Sequence, residues 1–307
     1  MNSFRLTKPV ALIVYNRPDT TARVFNTIRE ARPPFFFVIA DGPKSDLPSD
    51  ADLCKEVRHI VEQVDWPCEF IKNYSDVNLG CGLRPATGIS WVFKQVEDAI
   101  ILEDDCLPHP SFFRYCEELL DKYRYDERIV HIAGSNSLIN SCKGNYSYYY
   151  SLFPHCWGWA SWRRAWNNFD YDMLLFREIE ANGWLNCIFP EKDVARFWRS
   201  GFMELYHSKQ KHIWDYQWTF ACWANSGLSI LPNQNLVSNI GFGSEATHTK
   251  SLQSKLASMP VSAMEFPLVH PPFVIRDTEA DARAQTKIWG SLVLSNCRSI
   301  FKKLLKG

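Results

Sequence analysis

The first half of the chain repeats one pattern: a short apolar run, an abrupt polar break, then apolar residues at helical spacing. Val10 to Tyr15 is apolar without interruption, as expected of a strand buried on both faces. Asn16-Arg17-Pro18-Asp19 ends it, and Thr21, Val24, Phe25 and Ile28 then recur with the period of a helix. Phe35 to Ala40 repeats the run and stops at the turn Asp41-Gly42-Pro43. Residues 50–64 read as a helix, Cys68 to Tyr74 as a third strand, and Asn78 to Arg84 as a glycine-containing loop before a helix that reaches about Val96. Ala99 to Leu102 is a fourth strand, running straight into Glu103-Asp104-Asp105. Pro110-Ser111 opens another helix with Ser111 as its N-cap, and Arg128 to Ala133 is a further strand.

Repeated strand–helix–strand order predicts an α/β fold, a mainly parallel sheet flanked by helices. Ligands of such sheets bind beyond the carboxyl ends of the strands. Asn16-Arg17, Asp41 and Glu103-Asp104-Asp105 all fall at those ends, so three polar groups converge on one edge.

From Tyr146 to Trp223 the alternation blurs and rings accumulate: nine of the 12 tryptophans lie between Trp157 and Trp223. No repeat or linker divides the 307 residues, which read as one continuous domain with two functional halves. Lys and Arg total 34, Asp and Glu also 34, and this balance argues against a dedicated nucleic-acid binder. The early apolar runs fall well short of the about 20 residues needed to span a bilayer, and the first is too short for a signal-peptide core. A cytoplasmic protein is expected, with its ten cysteines mostly reduced core thiols.

Three adjacent acids leaving a buried strand repel one another, and a hard divalent cation, Mn²⁺ or Mg²⁺, would offset that repulsion. A site with so few protein carboxylates completes its shell with water and phosphate oxygens, which points to a nucleoside diphosphate. The same acids also read as a solvated turn. Asp41 is either a nucleoside contact or a turn former. Arg17 and Arg84 are either phosphate contacts or partners of surface acids. In Trp214-Asp215-Tyr216-Gln217-Trp218 one acid sits among large rings, where burial would raise its pKa and suit it to general-base work, or leave it a paired core acid. Gly241 to Thr249 contains glycines and His248, as expected of a loop that closes on a ligand. Neither a phosphate-cradling G-x-x-x-x-G-K-[ST] loop nor a G-x-S-x-G nucleophile elbow is present.

In this order, these segments resemble the GT-A glycosyltransferases, most of all the inverting N-acetylglucosaminyltransferase I type, together with bacterial sugar-nucleotide transferases. That family has E-D-D after an apolar strand and then P-x-F-F-x-Y, similar to Glu103 through Tyr115 here. Its first strand ends near D-R, where this chain has Asn16-Arg17, and an Asp closes its second strand, like Asp41. Its G-x-G-W is similar to Cys156-Trp157-Gly158-Trp159, its W-D-D-W to Trp214 through Trp218, and its F-G-x-x-G-x-S-H to the stretch ending in His248.

The resemblance implies a metal-dependent inverting transfer from a UDP-sugar, UDP-GlcNAc among the candidates, to a glycan or lipid-linked hydroxyl. Asp105 would ligate the metal, Asp104 hold the ribose and Glu103 the transferred sugar. Asp41 would contact uracil and Arg17 the phosphate region. Arg84 falls where the family has a nucleotide-side His, and His248 lies in the segment that orders over the donor. Trp157, Trp159, Trp214 and Trp218 would form sugar-facing walls. Asp215 would be the base, although Tyr216-Gln217 replaces the second acid of the family pair. The implied catalytic domain covers 1–250, with a nucleotide-sugar half over 1–145 and an acceptor-side half over 146–250. Residues 251–307 form an extension whose basic, amphipathic end could rest on an anionic membrane or dock on the protein. A glycan-binding module on the same fold is the competing class.

Overall fold

The computed structural model describes residues 4–138, 144–208, 211–242 and 258–294. Its first half follows the predicted alternation: β1 (Val10–Val14), α1 (Pro18–Ala31), β2 (Phe35–Ala40), α2 (Asp50–Val61), β3 (Glu69–Tyr74), α3 (Gly80–Phe93) and β4 (Asp98–Glu103). A tight turn leads to the short β5 (Cys106–Pro108), then α4 (Ser111–Lys122) and β6 (Ile129–Ala133). The half left unassigned by sequence contains β7 (Tyr148–Ser151), β8 (Trp159–Trp162), the short α5 (Arg163–Trp166), α6 (Phe176–Ala181) and α7 (Leu185–Ile188), and the longer α8 (Lys192–His207) and α9 (Asp215–Ala224). β9 (Leu228–Pro232), β10 (Val237–Asn239) and α10 (Thr278–Leu294) complete it.

Eight strands form one sheet in the order β3-β2-β1-β4-β8-β6-β9-β7, and β5 pairs with β10 apart from it. The first four strands are mutually parallel. β8 enters antiparallel between β4 and β6, and β7 closes the far edge antiparallel to β9. The fold is therefore the mixed, mainly parallel α/β sheet flanked by helices that the sequence predicts.

Side-chain alternation along β1 builds a core on each face. Val10, Leu12 and Val14 pack with Val24, Phe25 and Ile28 of α1 and with Phe112 of α4. Ala11 and Ile13 join Ala86 and Ile89 of α3, Phe197 of α8 and Trp218 of α9. The predicted helical face Thr21, Val24, Phe25 and Ile28 is the buried face of α1.

Two local expectations are corrected. The segment Asn78 to Arg84 is not a loop throughout, because α3 already begins at Gly80. Asp41 accepts the amides of Leu79 and Gly80 at 2.9 Å each, satisfying donors that a helix start leaves unpaired. Ser111 is the first residue of α4 rather than its N-cap, a position Pro110 occupies. The Ser111 hydroxyl pairs with His109 Nδ1 at 2.9 Å and accepts the Met264 amide at 2.9 Å.

α10 is fastened to the sheet. The Ser151 hydroxyl and the Leu152 amide both donate to Asp281, at 2.5 and 3.0 Å, and Arg276 Nε donates to the same carboxylate at 2.5 Å. Tyr150 of β7 forms a bridge with Arg276, and at the opposite edge β3 carries Glu69 and Lys72. Cys54, Cys106, Cys116 and Cys222 are buried free thiols. Among the described residues no helix is long and apolar enough to cross a membrane. The basic end of the chain beyond residue 294 lies outside the described residues.

Candidate functional site

Because β2, β1 and β4 are parallel neighbours, their carboxyl ends deliver Asp41, Asn16-Arg17 and Glu103-Asp104-Asp105 to one edge. The register sets Ile13 of β1 opposite Glu103 of β4, so the residues that follow both strands meet. Arg17, at the N-cap position of α1, turns its guanidinium onto the acids. Its Nη2 donates to Asp104 Oδ1, and its Nη1 donates to Asp105 Oδ2 at 2.9 Å. The Tyr15 amide adds a longer bond to Asp104 Oδ2 at 3.3 Å. The residue just after β10 fixes the Asp105 backbone, with the Ile240 amide donating to the Asp105 carbonyl at 2.8 Å.

One guanidinium thus serves three adjacent acids, and the electrostatics show the imbalance. Burial pushes the Glu103 carboxyl well above its ordinary range, and Asp105, Asp104 and Asp215 push it further, with Arg17 opposing. Burial also raises Asp104, against the pull of Arg17. Burial disfavours the Arg17 charge, yet the Asp104 and Asp105 carboxylates more than offset it and the guanidinium stays charged. The edge carries surplus negative potential that a cation would relieve.

Asp215 is the first residue of α9. Its charge acts on Glu103, and Asp215 and Glu103 together raise the thiols of Cys81 and Cys156 after the larger effect of burial. The fold therefore brings the predicted base, from the second half of the chain, into electrostatic reach of the acids that end β4.

Five of the expected site residues are engaged inside the fold. Asp41, only 5% exposed, spends its carboxylate inside the chain. It accepts the amides of Gly42, Leu79 and Gly80 at 2.9 Å each and the Asn78 side-chain amide at 3.2 Å. A carboxylate has about four acceptor sites, so these donors saturate it. Arg84 is buried and ties two strand ends together: its Nε donates to the Ala40 carbonyl at 3.2 Å, and its Nη2 donates to the backbone and side-chain oxygens of Asn73. In this structure both side chains are engaged by the chain's own groups.

Trp159 and Trp214 are core rings, 0% and 4% exposed, and Trp218 is buried with them. Trp159 stacks on Trp214 with centroids 5.7 Å apart and on His131 at 5.0 Å. Rings filled on their faces this way cannot stack on a sugar. Of the four tryptophans expected to line the site, Trp157 alone is half-buried, and its ring meets Phe242 edge-on at 5.9 Å. His248 lies outside the described residues.

A buried group that the sequence reading overlooked is Asp50, in the first turn of α2. It accepts the Tyr15 hydroxyl, the Asn16 side-chain amide at 2.5 Å and the Lys44 amide at 2.7 Å, holding the segment that leads into Arg17. The available signal was an acid beginning a helix whose apolar face continues through Cys54, Val57 and Val61.

Among the described residues no group of three or more His, Cys, Asp and Glu side chains could hold a metal ion by itself. What the edge offers is the hard carboxylate of Asp105, beside two further acids. One carboxylate suits a divalent cation whose remaining positions are filled by phosphate oxygens and water. The residues fit a cation that arrives with a diphosphate, and they do not form an all-protein cage.

No family model and no curated protein matches the chain. Three similar solved structures are distant. A mannosyltransferase from Pyrobaculum calidifontis, in complex with GDP-Man and Mn²⁺, is 11% identical with a TM-score of 0.33, over 53% of this chain and 46% of its own, so the match spans less than half of that enzyme. The galactosyltransferase LgtC, with donor and acceptor sugar analogues, is 10% identical with a TM-score of 0.33, over 56% of this chain and 64% of its own. An apo UDP-glucose pyrophosphorylase is 10% identical with a TM-score of 0.39, over 76% of this chain and 93% of its own. At these values they carry no residue's role to this chain.

Proposed function

We propose that this protein transfers a sugar from a nucleoside diphosphate sugar, a UDP-sugar, to a hydroxyl of a glycan or lipid-linked saccharide, with inversion at the anomeric carbon. One observation carries this reading: the acids ending β4 meet Arg17 of β1's exit at the sheet's carboxyl edge, and α9 brings Asp215 within electrostatic reach of them. The GT-A-like order of the sequence segments supports it.

Arg17, a guanidinium charge at the edge, would receive the diphosphate oxygens, for which its planar fork is suited. Glu103 and Asp104 would accept hydrogen bonds from the donor's hydroxyls. A divalent cation on Asp105 would supply neutralisation of the charge gathered on the leaving diphosphate. Asp215 takes the proton of the acceptor hydroxyl, and the acceptor oxygen forms its bond to the anomeric carbon from the opposite face. The bond from that carbon to the diphosphate oxygen breaks, and its electron pair leaves with the diphosphate. One displacement needs one base and inverts the centre.

The test is a panel of UDP-sugars and other nucleotide sugars, read by Mn²⁺-dependent thermal shift and slow donor hydrolysis. Stabilisation by a UDP-sugar with Mn²⁺, lost on EDTA addition, is expected. Glycan binding with no response to any nucleotide sugar would overturn the proposal in favour of a binding module.

A further inference from the structure

The contact between Arg17 and the acids has a feature that donor binding alone does not explain. Asp105 Oδ2 is already taken by Arg17 Nη1 at 2.9 Å, while Nη2 of the same guanidinium holds Asp104. The carboxylates keep only 3% and 12% of their side-chain surface exposed, and Arg17 keeps 26%. Gly241 lies directly on the pair. A Cβ there would collide with Asp105 Oδ2 and stand 2.7 Å from Arg17 Nη1. The ion pair is therefore packed shut on the side of β10.

We infer that Arg17 is an exchangeable counter-ion that couples entry of the divalent cation to entry of the diphosphate. The inference rests on the transferase reading and deepens it. A cation reaching Asp105 Oδ2 by itself has to displace Nη1 and leave a half-buried guanidinium short of a partner, which is costly. A cation arriving with a diphosphate brings that partner, because phosphate oxygens accept the bidentate pairing the guanidinium gives up. Arg17 thus opposes metal without nucleotide and accepts metal with it. By linkage the effect is reciprocal, so nucleotide without metal is also disfavoured.

The experiment titrates Mn²⁺ alone, and Mn²⁺ with saturating UDP, into the full chain, following free Mn²⁺ by electron paramagnetic resonance. Wild type is expected to bind Mn²⁺ alone weakly and to tighten when UDP is present. Arg17→Gln should bind Mn²⁺ alone about tenfold more tightly than wild type, within the usual range of coupling. Arg17→Lys keeps the charge but not the fork that bridges two carboxylates, and should also gain affinity for Mn²⁺ alone. Gly241→Ala, which pries the pair apart without touching its charges, should move the same way and decides the matter if Arg17→Gln fails to fold. Unchanged Mn²⁺ affinity in Arg17→Gln and Gly241→Ala overturns the inference. So does a gain in Arg17→Gln with Arg17→Lys matching wild type, because that is through-space charge and not exchange. If UDP binds to none of the proteins with or without Mn²⁺, the transferase reading fails instead, and the Mn²⁺-alone comparison still decides the role of Arg17 as a lock.

Discussion

The carboxyl ends of β2 and β4 both finish in acid, on the same edge of the same sheet, and their chemistry is opposite. At β2, Asp41 collects three backbone amides and one side-chain amide. At β4, Asp104 and Asp105 share a single guanidinium. Backbone amides cannot leave without unmaking the turn they belong to, whereas a long side chain can swing to another partner. An acid's availability to a ligand is decided by what donates to it, and its place at a strand end does not reveal that.

Replacing Asp105 tests the β4 side most severely. Asp105→Ala should lower Mn²⁺-dependent UDP-sugar hydrolysis by about 100-fold or more, with thermal unfolding little changed because Asp104 still pairs with Arg17. Full hydrolysis by that variant would erase the contrast. Replacing Asp41 tests the β2 side. Asp41→Ala leaves buried amides without an acceptor and should cost about 3 kcal/mol of stability, read from denaturant midpoints. A variant with wild-type stability but lost UDP affinity would make Asp41 a donor contact after all.

A second contrast lies inside the aromatic core, where His131 stands for polar groups that never meet solvent. Its Nε2–H donates to the His155 carbonyl at 3.0 Å, and Trp218 Nε1 donates to its Nδ1 at 3.1 Å, so the neutral ring is the one both partners need. Burial lowers His131 to about 3 and His155 to about 4. Each is neutral when folded and takes up a proton when unfolded below about pH 6.5. The stability they protect is complete above that pH and falls as the pH drops toward the folded values. Between pH 7 and pH 5 the loss should be about 2 kcal/mol for His131 alone, measured by chemical denaturation at the two pH values. Equal stability at both would show that the ring is charged or wet. Smallest in effect, Trp218→Phe keeps most of the packing but leaves Nδ1 without its donor, and should cost about 1–2 kcal/mol. No measurable change would mean that packing alone holds α9.

What sequence could reveal follows from these pairings. Val10 to Tyr15 and Phe35 to Ala40 announce buried parallel strands because both faces are covered, and their polar exits mark the working edge. The acids after β4 were legible for the same reason. The partners of Asp41 were not, because the donors at Leu79 and Gly80 arrive from a helix start far along the chain. Arg84 misled for a related reason: a cation in a glycine-containing segment looks available until the carbonyls of Ala40 and Asn73 close on it. Trp159 and Trp214 were misread because a ring against sugar and a ring in the core leave the same mark in a sequence. β8 was missed altogether, since Trp159-Ala160-Ser161-Trp162 is only four residues long and is not a continuous apolar run.

The sheet's outer strands bear on how the protein behaves at high concentration. An unpaired strand edge invites a second chain to add to it. Here β3 presents Glu69 and Lys72 at one border, and the Tyr150–Arg276 bridge covers part of the other. Loosening the Asp281 tie that holds Arg276 would uncover the β7 border. The first consequence to look for in an Asp281→Ala variant is accordingly self-association.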